Sequence, residues 1–104
     1  VQHDPHFSTI KVERGRKAFV SYASYPALKV PLSPAAEKIY LFNCTNEDAL
    51  NTILLNVAGK FAATVYNYDL SPLAKSKLEA TNESLAVDLS VPQGGYVVLE
   101  KIGD

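Results

Sequence analysis

One cluster of side chains in this 104-residue sequence has the composition of a metal site. His3 and His6, with Asp4 between them, have a spacing that could bring two ligands to one ion. Structural zinc sites use four protein ligands and catalytic sites use three, and no further cysteine or histidine lies near this pair. We therefore predict no metal site and no cofactor, and we interpret residues 1–6 as a leader or linker.

Cys44 is the single cysteine, so no disulfide bond can form within the chain. It ends the apolar run that starts at Ile39, where a thiol packs as a small hydrophobic group. A catalytic thiolate needs a nearby base, and both histidines lie about 40 residues upstream. The pattern predicts that Cys44 is buried and takes no part in catalysis.

Carboxylate pairs of the kind that glycoside hydrolysis requires do not stand out among the eleven acidic residues. Most of these residues fall in expected turns or, like Asp88, on the polar face of an expected strand. None lies in an apolar run, the environment that prepares a carboxyl group to act as an acid. The sequence also lacks a phosphate-binding loop, a dinucleotide-binding fingerprint and a Gly-x-Ser-x-Gly elbow. It therefore predicts a domain that is not itself an enzyme.

Tyr66 and Tyr68 have the spacing that best suits ligand binding. Residues two apart on a strand project from one face roughly 7 Å apart, a separation at which two rings could stack on a sugar chain. The opposing interpretation is that both rings belong to the core or a sheet edge. The absence of tryptophan favours that interpretation, since the largest flat ring offers the most stacking area. Tyr66 and Tyr68 are the candidate carbohydrate-binding residues.

The charge balance bears on the class of partner. Ten basic and eleven acidic residues give a net charge of −1, which indicates neither nucleic acid nor an anionic membrane. No run approaches the roughly 20 apolar residues of a membrane span. Because the chain begins at Val1, we expect a processed protein or a piece of a larger one. An extracellular or periplasmic location is favoured, although no segment assigns it.

Hydrophobic periodicity over residues 7–104 predicts a single all-β domain, an antiparallel two-sheet sandwich of about seven strands. Phe7 to Glu13 and Lys17 to Tyr25 have the composition of two strands joined by a tight hairpin, the first at a sheet edge. Pro26 to Ala36 holds three prolines and is expected to run extended along a sheet edge. The continuous apolar run Ile39 to Phe42 predicts a central strand with both faces covered.

The middle of the chain admits two interpretations over residues 46–58. Apolar residues recur there at helical spacing, whereas Thr52 to Val57 has the composition of a strand. The β-type flanks favour the strand, and a helix would make the fold α+β instead. Phe61 to Tyr68 predicts a further strand, and Ser71-Pro72 predicts one helical turn over residues 71–75.

The last twenty residues predict much of the core. Leu85, Val87, Leu89 and Val91 alternate with smaller or polar residues, the pattern of a strand with one buried face. Residues 92–95 break the run before a final strand, so a closing hairpin is expected. The other residues expected in the core are Ile39, Leu41 and at least one of Val97 and Val98. Asn43 opens a glycosylation sequon in or beside a buried strand, where a glycan does not fit.

Two segments, I-Y-L-F-N-C-T (39–45) and L-S-V-P-Q-G-G-Y-V-V-L-E (89–100), resemble the C-terminal β-sandwich domain of TIM-barrel glycoside hydrolases, the α-amylase-like and related α-glycosidase families. The resemblance covers about Arg16 to Ile102, and in those families the domain holds no catalytic residue. It implies a non-catalytic accessory domain that stabilises the catalytic domain of the same parent chain and makes weak contact with oligosaccharide. The alternative is a free-standing extracellular adhesion or immunoglobulin-like interaction module.

Overall fold

The computed structural model describes residues 10–22, 27–44, 48 and 50–103. Within these ranges the chain forms nine strands and no helix, so the all-β prediction is confirmed. The strands are β1 (Ile10–Arg14), β2 (Lys17–Tyr22), β3 (Ala27–Pro31), β4 (Lys38–Asn43), β5 (Leu50–Leu55), β6 (Gly59–Tyr66), β7 (Pro72–Ala80), β8 (Ser84–Leu89) and β9 (Tyr96–Gly103). A helix of the length and apolar character that membrane crossing needs is not found in the described part of the chain.

Two sheets build the sandwich. The large sheet has six strands in the order β1-β2-β4-β9-β6-β7, and the small sheet has three in the order β3-β5-β8. Most neighbours are antiparallel, as expected, but β2–β4 and β3–β5 are parallel. In both parallel pairs the intervening strand lies in the opposite sheet, so the chain returns to its own sheet in the same direction. The strand count of nine exceeds the expected seven.

The core lies between the inner faces of the two sheets. Three of the four residues predicted to be buried near the end of the chain, Leu85, Val87 and Val91, are buried. The fourth, Leu89 at the end of β8, is only partly covered. Val97 is buried, and its neighbour Val98 faces the other side of the same strand. The other side chains of the core are Ala18, Val20, Val30, Leu32, Ala36, Ile39, Leu41, Leu54, Val57, Phe61, Ala63, Val65 and Leu99. The period-2 alternation therefore identified the buried face correctly.

The expected closing hairpin is wrong, because the last two strands belong to different sheets. β8 pairs with β5 in the small sheet, whereas β9 lies between β4 and β6 in the large one. Residues 90–95 therefore cross from one sheet to the other instead of turning back within one. The break after Val91 was visible in the sequence, but the pairing partners were set by distant strands.

The helical turn predicted over residues 71–75 is also wrong, since Pro72 begins β7, a strand of nine residues at the edge of the large sheet. The cap-like Ser71-Pro72 pair is overridden by the hydrogen-bonded ladder with β6. Residues 46–58 contain strand β5 over Leu50–Leu55, in agreement with the favoured interpretation. Pairing with β3 on one side and β8 on the other stabilises that strand.

Strand β4 is central, as predicted, but only one of its faces is covered. Ile39, Leu41 and Asn43 are buried, while Tyr40 and Phe42 are half-exposed on the opposite face. The burial predicted for Cys44 is wrong as well: it follows the last residue of β4 and is exposed. The run Ile39 to Phe42 was therefore interpreted as covered on both faces, whereas its two aromatic residues lie on the face that is only partly covered.

We predict that Leu85→Ala lowers the free energy of unfolding by about 2–5 kcal/mol, because the fully buried side chain leaves a cavity in the core. The matched change Leu73→Ala, on an edge strand where the side chain is 53% exposed, should alter it by less than about 0.5 kcal/mol. Equilibrium unfolding in urea measures both. Equal destabilisation by the two variants would contradict the assignment of inner and outer faces.

Candidate functional site

The outer face of the large sheet, which is turned away from the small sheet, carries three rows of side chains that run across the strands. The rows follow from the pairing register, since residues two apart on a strand share a face. The first row is Ile10, Ser21, Phe42, Tyr96 and Tyr66; the middle row is Val12, Phe19, Tyr40, Val98, Thr64 and Lys75; the charged row is Arg14, Lys17, Lys38, Glu100, Ala62 and Lys77. Aromatic residues thus lie side by side on this face although they are far apart in sequence.

The aromatic rings on this face stack on one another across neighbouring strands. The ring centroids of Phe19 and Tyr40 are 4.9 Å apart with planes 7° from parallel, and those of Tyr66 and Tyr96 are 4.9 Å apart at 16°. Phe42 lies against Tyr96 at 5.5 Å in a tilted arrangement. Because strands are about 4.8 Å apart, rings stacked in this way stand upright and cover each other's faces. Most ring edges, rather than ring faces, are therefore turned to solvent.

A groove of about 390 Å³ opens on the outer face where this packing is interrupted. In the middle row the small Val98 lies between Tyr40 and Thr64, so the surface dips over β9. The lining residues are Lys38, Tyr40, Ala62, Thr64, Tyr66, Tyr96, Val98 and Glu100. Phe19 covers the face of Tyr40 that looks toward β2, which leaves the other face of the Tyr40 ring toward the groove.

Lys38 and Glu100 supply the charges at one end of the groove. Their Nζ and Oε2 atoms are 3.8 Å apart, and Lys38 Nζ lies 5.7 Å from the centroid of the Tyr40 ring. A side-chain hydrogen bond with Tyr40, aided by the Glu100 carboxylate, raises the pKa of Lys38 above its ordinary value. The groove therefore contains groups that can form hydrogen bonds with a hydroxylated ligand. They are the hydroxyl groups of three tyrosines and one threonine, together with this ion pair.

The structure separates the two tyrosines that the sequence placed on one strand face. Tyr66 is the last residue of β6 and lines the groove, whereas Tyr68 lies in the following turn and is 72% exposed. A register shift after Val65 and a turn at Asn67, whose side-chain oxygen accepts a hydrogen bond from the Tyr68 backbone, end the strand early. The pairing of β6 with β9 brings Tyr66 next to Tyr96, and Tyr68 lies outside the groove lining.

Sequence reasoning missed two of the three tyrosines that line the groove, Tyr40 and Tyr96. Tyr40 and Phe42 are two apart on β4, the same spacing that drew attention to Tyr66, but the run was interpreted as wholly buried. Tyr96 was assigned only as the start of the last strand. A period-2 interpretation of Lys38 to Asn43, with alternate residues outward, would have found the first of these.

The other side chains considered in the sequence analysis form no metal site among the described residues. His3 and His6 lie outside the described residues. Within the described ranges no three His, Cys, Asp or Glu side chains lie close enough to hold a metal ion.

A second hollow, of about 340 Å³, lies on the outer face of the small sheet beside Lys29, Ile53 and Ala86. We call it the small-sheet hollow; no aromatic residue lines it in the part of the chain that is described.

The crossover at residues 90–95 positions Tyr96 beside the groove. The buried side chain of Asn43 donates to the carbonyl oxygen of Val91 at 2.9 Å. The Asn43 backbone donates to Gly95 O and accepts from Gly94 N, both at 3.0 Å. At Gly95 the chain passes so close to β6 that an added Cβ would lie 2.5 Å from the carbonyl oxygen of Tyr66. Only glycine fits there, and Tyr96 follows directly.

We predict that Gly95→Ala destabilises the protein by about 1–3 kcal/mol and shifts the ring signals of Tyr66 and Tyr96, since the new methyl group overlaps the β6 backbone. Gly103→Ala is the matched control, because nothing lies within 4 Å of its added Cβ. Thermal unfolding and aromatic NMR spectra measure the two effects. If both alanine variants behave alike, the close approach at Gly95 is absent.

Comparisons with protein-family models, curated proteins and solved structures find no match to this chain. The resemblance to the accessory domains of glycoside hydrolases therefore rests on the two short segments at 39–45 and 89–100. The tyrosine-lined groove on the outer face is the feature that a functional proposal has to explain.

Proposed function

We propose that this chain is a non-catalytic accessory domain of a carbohydrate-active enzyme, which stabilises the catalytic domain of the same parent chain and contacts oligosaccharide weakly. The observation that carries the proposal is the groove between Tyr40 and Tyr66, with Tyr96 beside it. Grooves that bind small ligands combine apolar and aromatic walls with a few polar groups that fix orientation. This groove has both, on three hydrogen-bonded strands of the large sheet.

The groove fits the surface of a sugar ring. A sugar presents C–H groups on its faces and hydroxyl groups around its rim, so it pairs an aromatic face with nearby hydrogen-bonding groups. Tyr40 supplies the aromatic face, and Thr64, Lys38 and Glu100 lie within the same groove. Of the described residues in the lining, Glu100 is the one carboxylate, and it is paired with Lys38. This composition supports binding rather than acid–base hydrolysis, which uses two carboxyl groups.

The affinity should be low. One open ring face and a shallow, partly solvated groove desolvate little of a ligand, and we expect a Kd in the millimolar range, about −4 kcal/mol. Weak contact of this kind suits a domain that works next to a catalytic site on the same chain, because tethering raises the effective concentration of the ligand.

Contact with a second domain is supported by apolar side chains at one end of the outer face. Ile10 and Val12 on β1 are 61% and 43% exposed, and Val12 pairs with Phe19 in the middle row. Exposed apolar residues that adjoin one another mark interaction surfaces more often than isolated ones do. We propose this end of the sheet for the contact with the catalytic domain.

A free-standing extracellular adhesion or immunoglobulin-like module is the second candidate. It is favoured by β7, a nine-residue edge strand that is exposed along most of its length. An exposed edge can accept a strand from a partner. Lys75 and Lys77 lie on that edge, however, and lysines on edge strands oppose such pairing. We therefore prefer the accessory-domain function.

We predict that titration with α-glucan oligosaccharides shifts the backbone NMR signals of groove residues, with a Kd of roughly millimolar order. Tyr40→Ala should weaken binding at least fivefold, because it removes the open ring face, worth about 1 kcal/mol or more. Tyr68→Ala is the matched control and tests the glycan contact predicted for Tyr68. No shifts at tens of millimolar α-glucan would contradict the binding of neutral sugars in the groove. Loss of binding in Tyr68→Ala alone would assign the site to the turn that holds Tyr68.

A further inference from the structure

We infer that the oligosaccharide bound by the outer face is anionic, a chain whose sugar units carry carboxylate groups. This inference rests on the proposed function and names its ligand class. It follows from the charged row, in which Arg14, Lys17 and Lys38 lie on adjacent strands and Lys77 lies at the far edge. Six strands separated by about 4.8 Å spread this row over roughly 24 Å, the length of several sugar units.

Cations lie on the β4 side and on the β7 side of the groove. Lys38 lies at the wall formed by β4, while Lys75 and Lys77 pair with Thr64 and Ala62 on the β6 side. A ligand that lies across the strands at the charged end of the groove therefore has Lys38 on its β4 side and Lys75 and Lys77 on its β7 side. Sugars with carboxylates on successive units match such a distribution of positive charge.

Positive charge is concentrated on the outer face of the large sheet, although the chain as a whole is nearly neutral. The whole chain has a net charge of −1, yet the middle and charged rows hold five cations and one carboxylate. Glu100 neutralises only Lys38. No carboxylate of the described residues forms an ion pair with Arg14, Lys17, Lys75 or Lys77. These four groups are exposed and available to an anionic ligand.

The aromatic geometry favours a glycan over a single-stranded nucleic acid. Proteins that bind single strands stack successive bases on open aromatic faces. Here Phe19 and Tyr40 cover each other, as do Tyr66 and Tyr96, so one open ring face remains in the groove. One open face with hydroxyl groups nearby suits a sugar, whereas a row of bases would need several.

The test compares two ligands that differ only in charge: tetragalacturonate and the same tetramer with every carboxyl group methyl-esterified. Isothermal titration at low salt should show roughly tenfold tighter binding of the acid, and added salt should remove that difference. Lys77→Gln should weaken binding of the acid by roughly twofold to fivefold and leave binding of the ester unchanged. Lys29→Gln, on the small sheet, is the matched control and should change neither.

Equal affinity for acid and ester would overturn the inference while leaving the proposed function intact. Absence of binding by both, up to tens of millimolar, would overturn the inference and the proposed function together. If a four-nucleotide DNA strand binds more tightly than tetragalacturonate, the ligand of the cations is nucleic acid, and the inference that the ligand is a glycan is overturned. An equal loss in Lys29→Gln and Lys77→Gln would show that net charge, and not the charged row, attracts the ligand.

Discussion

A buried asparagine at the end of β4 is the constraint on which the binding face depends. Asn43 is fully buried, and its amide donates to Val91 O while its backbone is hydrogen-bonded to both Gly94 and Gly95. A buried amide left without partners costs about 1–3 kcal/mol, so these bonds hold the crossover in one conformation. The crossover carries the chain from the small sheet to the large one. Its position sets where β9 begins, and with it the place of Tyr96.

The arrangement of side chains on the outer face is determined by the register of strand pairing and not by any single segment of the chain. β9 lies between β4 and β6, so it brings Tyr96 against Phe42 on one side and Tyr66 on the other. Val98, two residues further along, is too small to fill the row, and the groove opens above it. A shift of β9 by one residue would turn Val97 and Leu99 outward and bury Tyr96. The core and the groove are thus specified by the same pairing.

Much of this architecture was predictable from the sequence, because burial of one strand face leaves a period-2 pattern that is local. Leu85 and Val87 show it. The strand at Leu50–Leu55 lacks this alternation and was predicted from its composition and its β-type flanks. The choice of partner strand was not predictable, since it depends on contacts between residues far apart in the chain. That is why β8 and β9 were expected to form a hairpin and instead lie in different sheets.

The binding face was predicted only in part, for the same reason. Tyr66 was identified from its spacing, but its neighbours Tyr96 and Tyr40 come from other strands and become adjacent only through pairing. The cations of the charged row are likewise scattered from Arg14 to Lys77, and only Arg14 and Lys17 belong to one basic cluster in the sequence. Spacing along the sequence shows which side chains one strand places on a face. Only the order of the strands in the sheet shows which side chains of six strands lie together on that face.

The most direct measurement is the set of intermolecular NOEs between bound oligosaccharide and isotope-labelled protein. If the outer-face groove binds the sugar, NOEs should connect sugar ring protons to the Tyr40 ring and to the methyl groups of Val98 and Thr64. NOEs confined to Ile53 and Ala86 in the small-sheet hollow, or to Tyr68 alone, would contradict the assignment of the outer face as the binding surface.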